Sequence, residues 1–362
     1  MNLLAVYIFS FMPIMLITVL LQSDKILKRL FTKRMTLSIV FLAILPILLL
    51  RDISAPADIN NYLHMYNSAI NYEYIFNAYH GNVFFSFLMY IGQLLNLEWE
   101  VFFYSLSILS LLIYTKGIQL IFKNEKYYIL ALVFFSFSST FVLLYTNIIR
   151  QGLSTSLLVL TIGLILNKNV YLAFLTTILS IFSHFSVIPI IIMMMISKFI
   201  FKHIKYKYFI LILIFLPIMG SIALTYLNSL GGLFSKIHAM QEHNYTNNLV
   251  YIKIIILYIC LIVYYVYGKK YLLFQNINYK FVFNIYLLIL SIILFTSPIL
   301  LLSSRFLYYD AALMPILFSF IFYSRYNIFQ NNIKYFLTFI LALIYGYIVY
   351  SFASVQVQLG II

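Results

Sequence analysis

The 362-residue chain is 64% hydrophobic and only 9% charged, and its formal net charge is +14. Soluble globular domains have about 25% charged residues. This composition therefore excludes a soluble globular domain and indicates that lipid surrounds most of the chain. The single cysteine, Cys260, excludes a disulfide framework and a cysteine metal site.

Apolar runs recur along the whole chain at lengths that suit membrane-spanning helices. A spanning helix needs about 20 mostly apolar residues, and lipid favours helices because each satisfies its own backbone hydrogen bonds. The sequence therefore predicts an all-α, polytopic integral membrane protein with about twelve transmembrane helices in a single domain, residues 1–362. The predicted spans, of which the first is expected to remain uncleaved, are 2–21, 36–50, 98–115, 127–146, 150–166, 170–183, 186–200, 208–228, 249–267, 281–301, 310–324 and 335–352.

The segment 83–97 does not fit this series. It is apolar enough to cross a membrane, but a crossing there would move Lys123 and Lys126 to the outer side. We therefore predict a re-entrant or interfacial segment at 83–97.

The positions of lysine and arginine predict which loops face the cytoplasm. With the amino terminus outside, 18 of the 23 basic residues fall in alternate, cytoplasmic connections. Charges divided among short loops on one membrane face are expected to contact anionic lipid headgroups, which explains the net charge without a nucleic-acid partner. The predicted outer loops lie near 51–82, 183–186, 229–248 and 302–309.

Three of the remaining basic residues are arginines at the outer ends of predicted spans: Arg51, Arg150 and Arg305. An ionisable residue at membrane depth is by default a functional-site hypothesis, although a long side chain also reaches the outer headgroups on its own. Arginine keeps its charge, and its planar guanidinium grips phosphate oxygens in two places at once. These arginines therefore predict a phosphate or diphosphate ligand on the outer side.

Other polar residues stand close to each arginine in the sequence. The loop after Arg51 is the most polar stretch of the chain, and Gln151 follows Arg150 at the start of a span. His184 lies in a short polar break between two spans, where a structural role is the alternative. Tyr308 and Tyr309 follow Arg305 at offsets of three and four, which share one face of a helix.

The order of these residues along the chain, together with their common membrane side, forms a pattern: Arg51, Asp58 and Tyr62; Arg150 and Gln151; His184; then Ser304, Arg305, Phe306 and Tyr309. This pattern resembles the EpsG-type, Wzy-like polysaccharide polymerases over residues 51 to 315. One departure is that Pro56 and Ala57 precede Asp58, where the family usually has a glycine nearby.

The resemblance implies a bacterial polymerase of O-antigen or capsule repeat units in the inner (plasma) membrane, with its active site facing the periplasm or outside. Donor and acceptor would both be oligosaccharides on undecaprenyl diphosphate, and a flippase and a chain-length regulator would be partners besides membrane lipid. No nucleic acid, cofactor or metal is expected. Arginine can stabilise the charge that develops on a departing diphosphate, and the sequence has neither D-x-D nor H-E-x-x-H.

The same resemblance assigns roles to the candidate residues. Arg150 and Arg305 would hold the diphosphate, and His184 would assist there or accept a proton. Asp58 or Glu73 would activate the acceptor hydroxyl. The residues expected to bind substrate are Arg51, Tyr62, Glu73, Gln151, Tyr308 and Tyr309.

Other classes of membrane protein share parts of this pattern. A flippase or other transporter would show internal repeats and polar residues through the membrane midplane, and the sequence shows neither. A membrane O-acyltransferase using His184 as its base, or a ligase that attaches finished polysaccharide to a lipid core, keeps an outer active site. Both alternatives stay open at the level of sequence.

Overall fold

A computed structural model describes residues 58–76, 82–122, 125–136, 138–229 and 248–322. These residues are helical, and no strand occurs among them. The prediction of an all-α protein is therefore confirmed for the described part of the chain. The described residues fall into two compact units, divided between Phe185 and Ser186; the single domain expected from the sequence stays a prediction.

The first unit is built from apolar helices joined by short turns. A π-helical segment, Leu143–Asn147, lies between its sixth and seventh helices. The helices are α1 (Ile59–Ser68), α2 (Glu73–Phe76), α3 (Val83–Leu94), α4 (Trp99–Ile121), α5 (Glu125–Ser136), α6 (Ser139–Val142), α7 (Ile149–Leu166) and α8 (Val170–Ser183).

The second unit runs from Ser186 to Ile321. Its helices are α9 (Ile188–His203), α10 (Tyr206–Leu213), α11 (Leu216–Ser229), α12 (Asn248–Lys270), α13 (Ile277–Thr296) and α14 (Leu300–Phe322). Buried tyrosines of α13 join it to α12, since Tyr279 donates to the Tyr264 carbonyl at 2.6 Å and Tyr286 to the Leu257 carbonyl at 3.0 Å. Each phenol thereby satisfies its own donor in an apolar interior.

Four described helices are long and apolar enough to cross a membrane, and the number rises to six if each of two bent helix pairs is one span. The predicted number of about twelve is not confirmed, and the predicted spans 2–21, 36–50 and 335–352 lie outside the described residues. The four helices are Trp99–Ile121, Ile149–Leu166, Phe185–His203 and Ile277–Thr296; the bent pairs are Tyr127–Ser136 with Thr140–Asn147 and Tyr206–Leu213 with Leu216–Ala223.

The segment 83–97 forms α3, a helix of 12 residues. At about 1.5 Å per residue it is about 18 Å long, which is short of the roughly 30 Å hydrocarbon core. The lysines that follow it, and not its length, set this segment apart in the sequence, and its membrane placement stays a prediction.

Small residues bring α4 and α7 into close contact. A Cβ on Gly117 would lie 2.6 Å from the Leu160 backbone nitrogen, and one on Gly163 would lie 2.7 Å from the Gly117 carbonyl oxygen. Helices in lipid associate through such close packing, because lipid is as apolar as the helices and the hydrophobic effect does not drive them together. This contact fixes α7, the helix that carries Arg150, against α4.

Hydroxyl pairs join α7 to α8. Ser154 donates to the Ser180 carbonyl at 2.9 Å, and Ser180 donates to the Ser154 carbonyl at 2.8 Å. Two turns along, the hydroxyls of Thr161 and Thr176 lie 2.8 Å apart. All four side chains are buried, so these bonds form without competing water.

We expect Ser154→Ala and Ser180→Ala to be coupled. The two hydroxyls also lie 3.2 Å apart, and either single substitution removes this shared contact. The double variant should therefore lose less stability than the two single losses predict, with a coupling of about 0.6 kcal/mol. Thermal unfolding of the protein in detergent measures it. Ser183→Ala is the matched control, because within the described part of the chain Ser183 bonds only the Leu179 carbonyl, in its own helix. Strict additivity of the Ser154 and Ser180 variants would contradict the prediction.

Candidate functional site

Arg150 lies in the first turn of α7, directly after a break in the helical path. The π-helical segment closes with the Ile148 N–H donating to the Leu143 carbonyl at 2.9 Å, and α7 then begins at Ile149. Gly152 makes the close approach of these two elements feasible, because a Cβ there would lie only 2.0 Å from the Leu144 carbonyl oxygen. π-Helical turns of this kind are rare and often mark functional sites.

The guanidinium of Arg150 lies over the aromatic ring of Tyr62 in α1. The Arg150 Cζ atom is 5.2 Å from the ring centroid, within the range of a cation–π contact. Tyr62 is only 2% exposed, and its ring packs between Phe85 and Phe103, each with its ring centroid at 5.8 Å. The cation is therefore supported from below by a ring that its neighbours hold in place.

Charge and burial act on Tyr62 in opposite directions. Burial raises the pKa of its phenol, and the positive charge and hydrogen-bond donors of Arg150 oppose that rise. Asp58, one turn earlier in the chain, acts in the same direction as burial. The net pKa lies above the ordinary value, so Tyr62 stays neutral at physiological pH. Arg150 also opposes the burial-driven rise in the pKa of Tyr74, which places a second phenol within reach of its charge.

Asn147 ties the beginning of α1 to the segment before Arg150. The Asp58 backbone N–H donates to the Asn147 side-chain oxygen at 3.3 Å, and the Asp58 carbonyl accepts the first hydrogen bond of α1 from Tyr62. The sequence alone predicts no role for Asn147. The feature of the sequence that could have indicated a role is the position of this amide, at the end of an apolar run and three residues before Arg150.

Arg150 is half-buried and has an unused donor. Its Nε atom is buried and has no hydrogen-bond partner in the described part of the chain. A buried donor without an acceptor costs free energy, and guanidinium groups present five donors in a fixed plane. An anion with at least two oxygens would satisfy this donor and add to the attraction of the charge.

Tyr62 lies under Arg150, and Asp58 contacts Asn147, three residues before Arg150. Gln151, the next residue, is buried at 3% exposure, whereas Glu73 is exposed at the start of α2. Arg51 lies outside the described residues.

His184 lies at the polar break between two spans that the sequence predicts. Its half-buried side chain follows the last residue of α8, and its backbone is extended. The His184 N–H donates to the Ser180 carbonyl at 3.2 Å. His184 therefore caps the carboxyl end of α8.

Arg305, Tyr308 and Tyr309 lie in α14, so the predicted helical offsets are confirmed. Arg305 and Tyr308 are half-buried. Tyr309 is fully buried, and its hydroxyl lies 3.0 Å from that of Ser186. The ring of Tyr309 is thus part of the interior of the second unit.

Asp310 is the other unusual residue of α14. It is fully buried, and neither carboxylate oxygen has a hydrogen-bond partner among the described residues; the buried hydroxyl of Ser303, two turns earlier, is in the same state. Sequence analysis gave Asp310 no role, although a carboxyl within an apolar helix was its signal. An ionised carboxylate there would be uncompensated, so the side chain is stable in this position only in its neutral form.

No group of three histidine, cysteine or acidic residues that could hold a metal ion is found within the described ranges. The model of the EpsG family matches residues 34–359, which is nearly the whole chain and includes every candidate site residue. No curated protein and no solved structure matches the chain.

Proposed function

The chain belongs to the EpsG family, and on that premise we propose that it polymerises oligosaccharide repeat units carried on undecaprenyl diphosphate, at the outer face of the bacterial inner membrane. EpsG is a family of Wzy-like membrane polysaccharide polymerases. Donor and acceptor are both lipid-linked units, and the products are a longer lipid-linked chain and free undecaprenyl diphosphate.

The observation that carries this proposal is the unpaired Nε–H of Arg150. Its Nε–H is buried without an acceptor in the described structure, and its charge faces a neutral phenol at Tyr62. A diphosphate supplies several charged oxygens at the spacing that a guanidinium can grip with two parallel hydrogen bonds. A neutral substrate would leave the charge uncompensated.

In the proposed reaction the bond between the donor sugar and its diphosphate breaks. An acceptor hydroxyl oxygen forms the new glycosidic bond, its proton passes to a base, and the electron pair of the broken bond leaves on the diphosphate. Negative charge therefore grows on the leaving group in the transition state. A positively charged group held in place before the reaction stabilises this charge without reorganisation, which is the role proposed for Arg150.

Asp58 is the better-placed of the two proposed bases. Its side chain caps no helix, although it precedes α1, and its backbone is fixed by the hydrogen bond to Asn147. Its charge reaches Tyr62, the residue under Arg150. Glu73 lies exposed at the start of a single helical turn, where fewer contacts define its position. The roles of His184, Arg305 and Tyr308 stay predictions of the sequence.

The proposed function is tested by removing the protein from its native host and separating the surface polysaccharide on a gel. The expected result is loss of the long ladder with a single repeat unit retained on its acceptor. Re-expression of the wild-type chain is the control and should restore the ladder.

Other outcomes assign the protein to other classes. Loss of the single repeat unit as well would indicate a flippase. Long chains that accumulate on undecaprenyl diphosphate would indicate a ligase. An unchanged ladder with altered acetyl content would indicate an O-acyltransferase. Each of these three results contradicts the polymerase.

A further inference from the structure

We infer that Tyr62 is a positioning residue, which holds the Arg150 guanidinium in the orientation that binds the diphosphate of the lipid-linked substrate. This inference rests on the proposed function. It also changes the role that the sequence suggested for Tyr62, from a residue that contacts substrate to one that acts through Arg150.

The burial of Tyr62 is the first argument. With 2% of its surface exposed, the side chain offers no open face on which a sugar could stack. Its ring is enclosed by Phe85 and Phe103, and the Arg150 cation lies 5.2 Å from the ring centroid. Any effect of Tyr62 on the substrate therefore passes through the arginine.

The state of the phenol is the second argument. Arg150 lies close enough for its charge and its donors to act on the phenol, and burial keeps the phenol neutral. A neutral oxygen accepts a hydrogen bond from the guanidinium without cancelling its positive charge, as a carboxylate would. The arginine is thus oriented while its charge remains available to an anion.

The cost of binding is the third argument. A free arginine side chain loses rotamer freedom when it grips a ligand, and a side chain that is already held loses less. The ring of Tyr62 and the hydrogen bond to its hydroxyl restrict Arg150 before substrate arrives. Removal of either contact should therefore weaken anion binding even though Arg150 itself is intact.

α1 supplies a matched control in Tyr66, one turn after Tyr62. Tyr66 is also 2% exposed and packs on Phe102 and Phe103, but its hydroxyl donates to the Leu97 carbonyl at 2.8 Å. Tyr66→Phe therefore removes a buried hydroxyl and a hydrogen bond from the same helix, without touching Arg150.

The test measures binding of inorganic pyrophosphate to the purified full-length protein in detergent by calorimetry. Tyr62→Phe should weaken binding about tenfold, since hydrogen bonds to charged groups are worth about that much. Tyr66→Phe should leave affinity within about twofold of wild type. In an Arg150→Lys background, Tyr62→Phe should have little further effect, because the planar guanidinium that it holds is gone.

A second variant separates positioning from packing. Tyr62→Met keeps a large apolar side chain in place but removes both the ring face and the hydroxyl, so it should weaken pyrophosphate binding more than Tyr62→Phe does. Thermal unfolding of each variant is measured in parallel. We expect the Tyr62 variants to lose more pyrophosphate affinity than Tyr66→Phe does, even where the variants lower the melting temperature equally.

The failures of the two hypotheses are distinguishable. Pyrophosphate affinity that is unchanged by Arg150→Lys and Arg150→Ala would overturn the diphosphate role of Arg150, and with it this inference. Affinity that falls in the Arg150 variants but not in Tyr62→Phe or Tyr62→Met would overturn the positioning role alone. Equal losses for the Tyr62 and Tyr66 variants, in proportion to their melting temperatures, would show a structural role and also overturn it.

Discussion

Replacing Arg150 with alanine is expected to abolish the long polysaccharide ladder and to leave a single repeat unit on its acceptor. The substitution removes the charge and the buried, unfilled donor that lies over Tyr62. Loss of one preorganised group that stabilises developing negative charge costs about 10²–10³ in rate. A loss of that size leaves too few transfer events for a long chain. The ladder of the variant is compared on a gel with that of the wild-type strain.

Arg150→Lys tests the geometry of the same contact. Lysine keeps the charge but presents a point cation, so it cannot make two parallel hydrogen bonds to a diphosphate or lie flat on the ring of Tyr62. We expect it to restore no more than short chains. Lys168→Ala is the matched control, because Lys168 is an exposed cation just beyond the other end of α7. With equal amounts of protein in the membrane, a full ladder from Arg150→Ala would refute the assignment.

The second large effect is expected from Gly152→Ala. The added Cβ would lie 2.0 Å from the carbonyl oxygen of Leu144 and 2.9 Å from its carbon. Both are backbone atoms, so no side-chain rotation relieves the clash and the π-helical segment must move away from α7. Overpacking in a well-packed interior costs about 1–3 kcal/mol. We expect a lower melting temperature in detergent and a lower amount of protein in the membrane.

Gly92→Ala is the control for this substitution. A Cβ on Gly92 would meet ring atoms of Phe102 at 2.6 Å and of Tyr66 at 3.0 Å. Rings at the ends of side chains can tilt, so its loss of stability should be smaller. Any Gly152→Ala protein that does fold should also make shorter chains, since the clash lies two residues from Arg150. A melting temperature for Gly152→Ala equal to that of wild type would disprove the close approach of Leu144.

The sequence predicts those features of the site that depend on local chemistry. Apolar composition predicts helices because lipid permits little else. An arginine after a polar break predicts a helix from residue 150, one position after the observed start of α7 at Ile149. The polar residues around His184 likewise predict the end of a helix, and α8 ends at Ser183. The hydrogen bond between Asp58 and Asn147 joins residues 89 positions apart, and one sequence contains no sign of such a pairing. The burial of Tyr62 under Arg150 depends on that long-range packing.

The bends within the spans could not be predicted for a different reason. Hydropathy identifies an apolar run but does not show where the helix within it bends. The predicted span 170–183 has the same bounds as α8. The predicted span 208–228 contains a bend of 50° between α10 and α11. Such a bend is determined by packing against neighbouring helices, about which the hydropathy of a single segment gives no information.

The buried carboxyl of Asp310 has a consequence for the biogenesis of the protein. A helix that leaves the translocon into lipid with an aspartate near its middle is disfavoured by about 2.5–3.5 kcal/mol. α12 and α13 are synthesised before α14, and Asp310 lies close enough to interact electrostatically with Cys260 of α12 and Tyr286 of α13. These earlier helices therefore offer α14 a protein surface in place of lipid, and we expect insertion of α14 to depend on their prior synthesis.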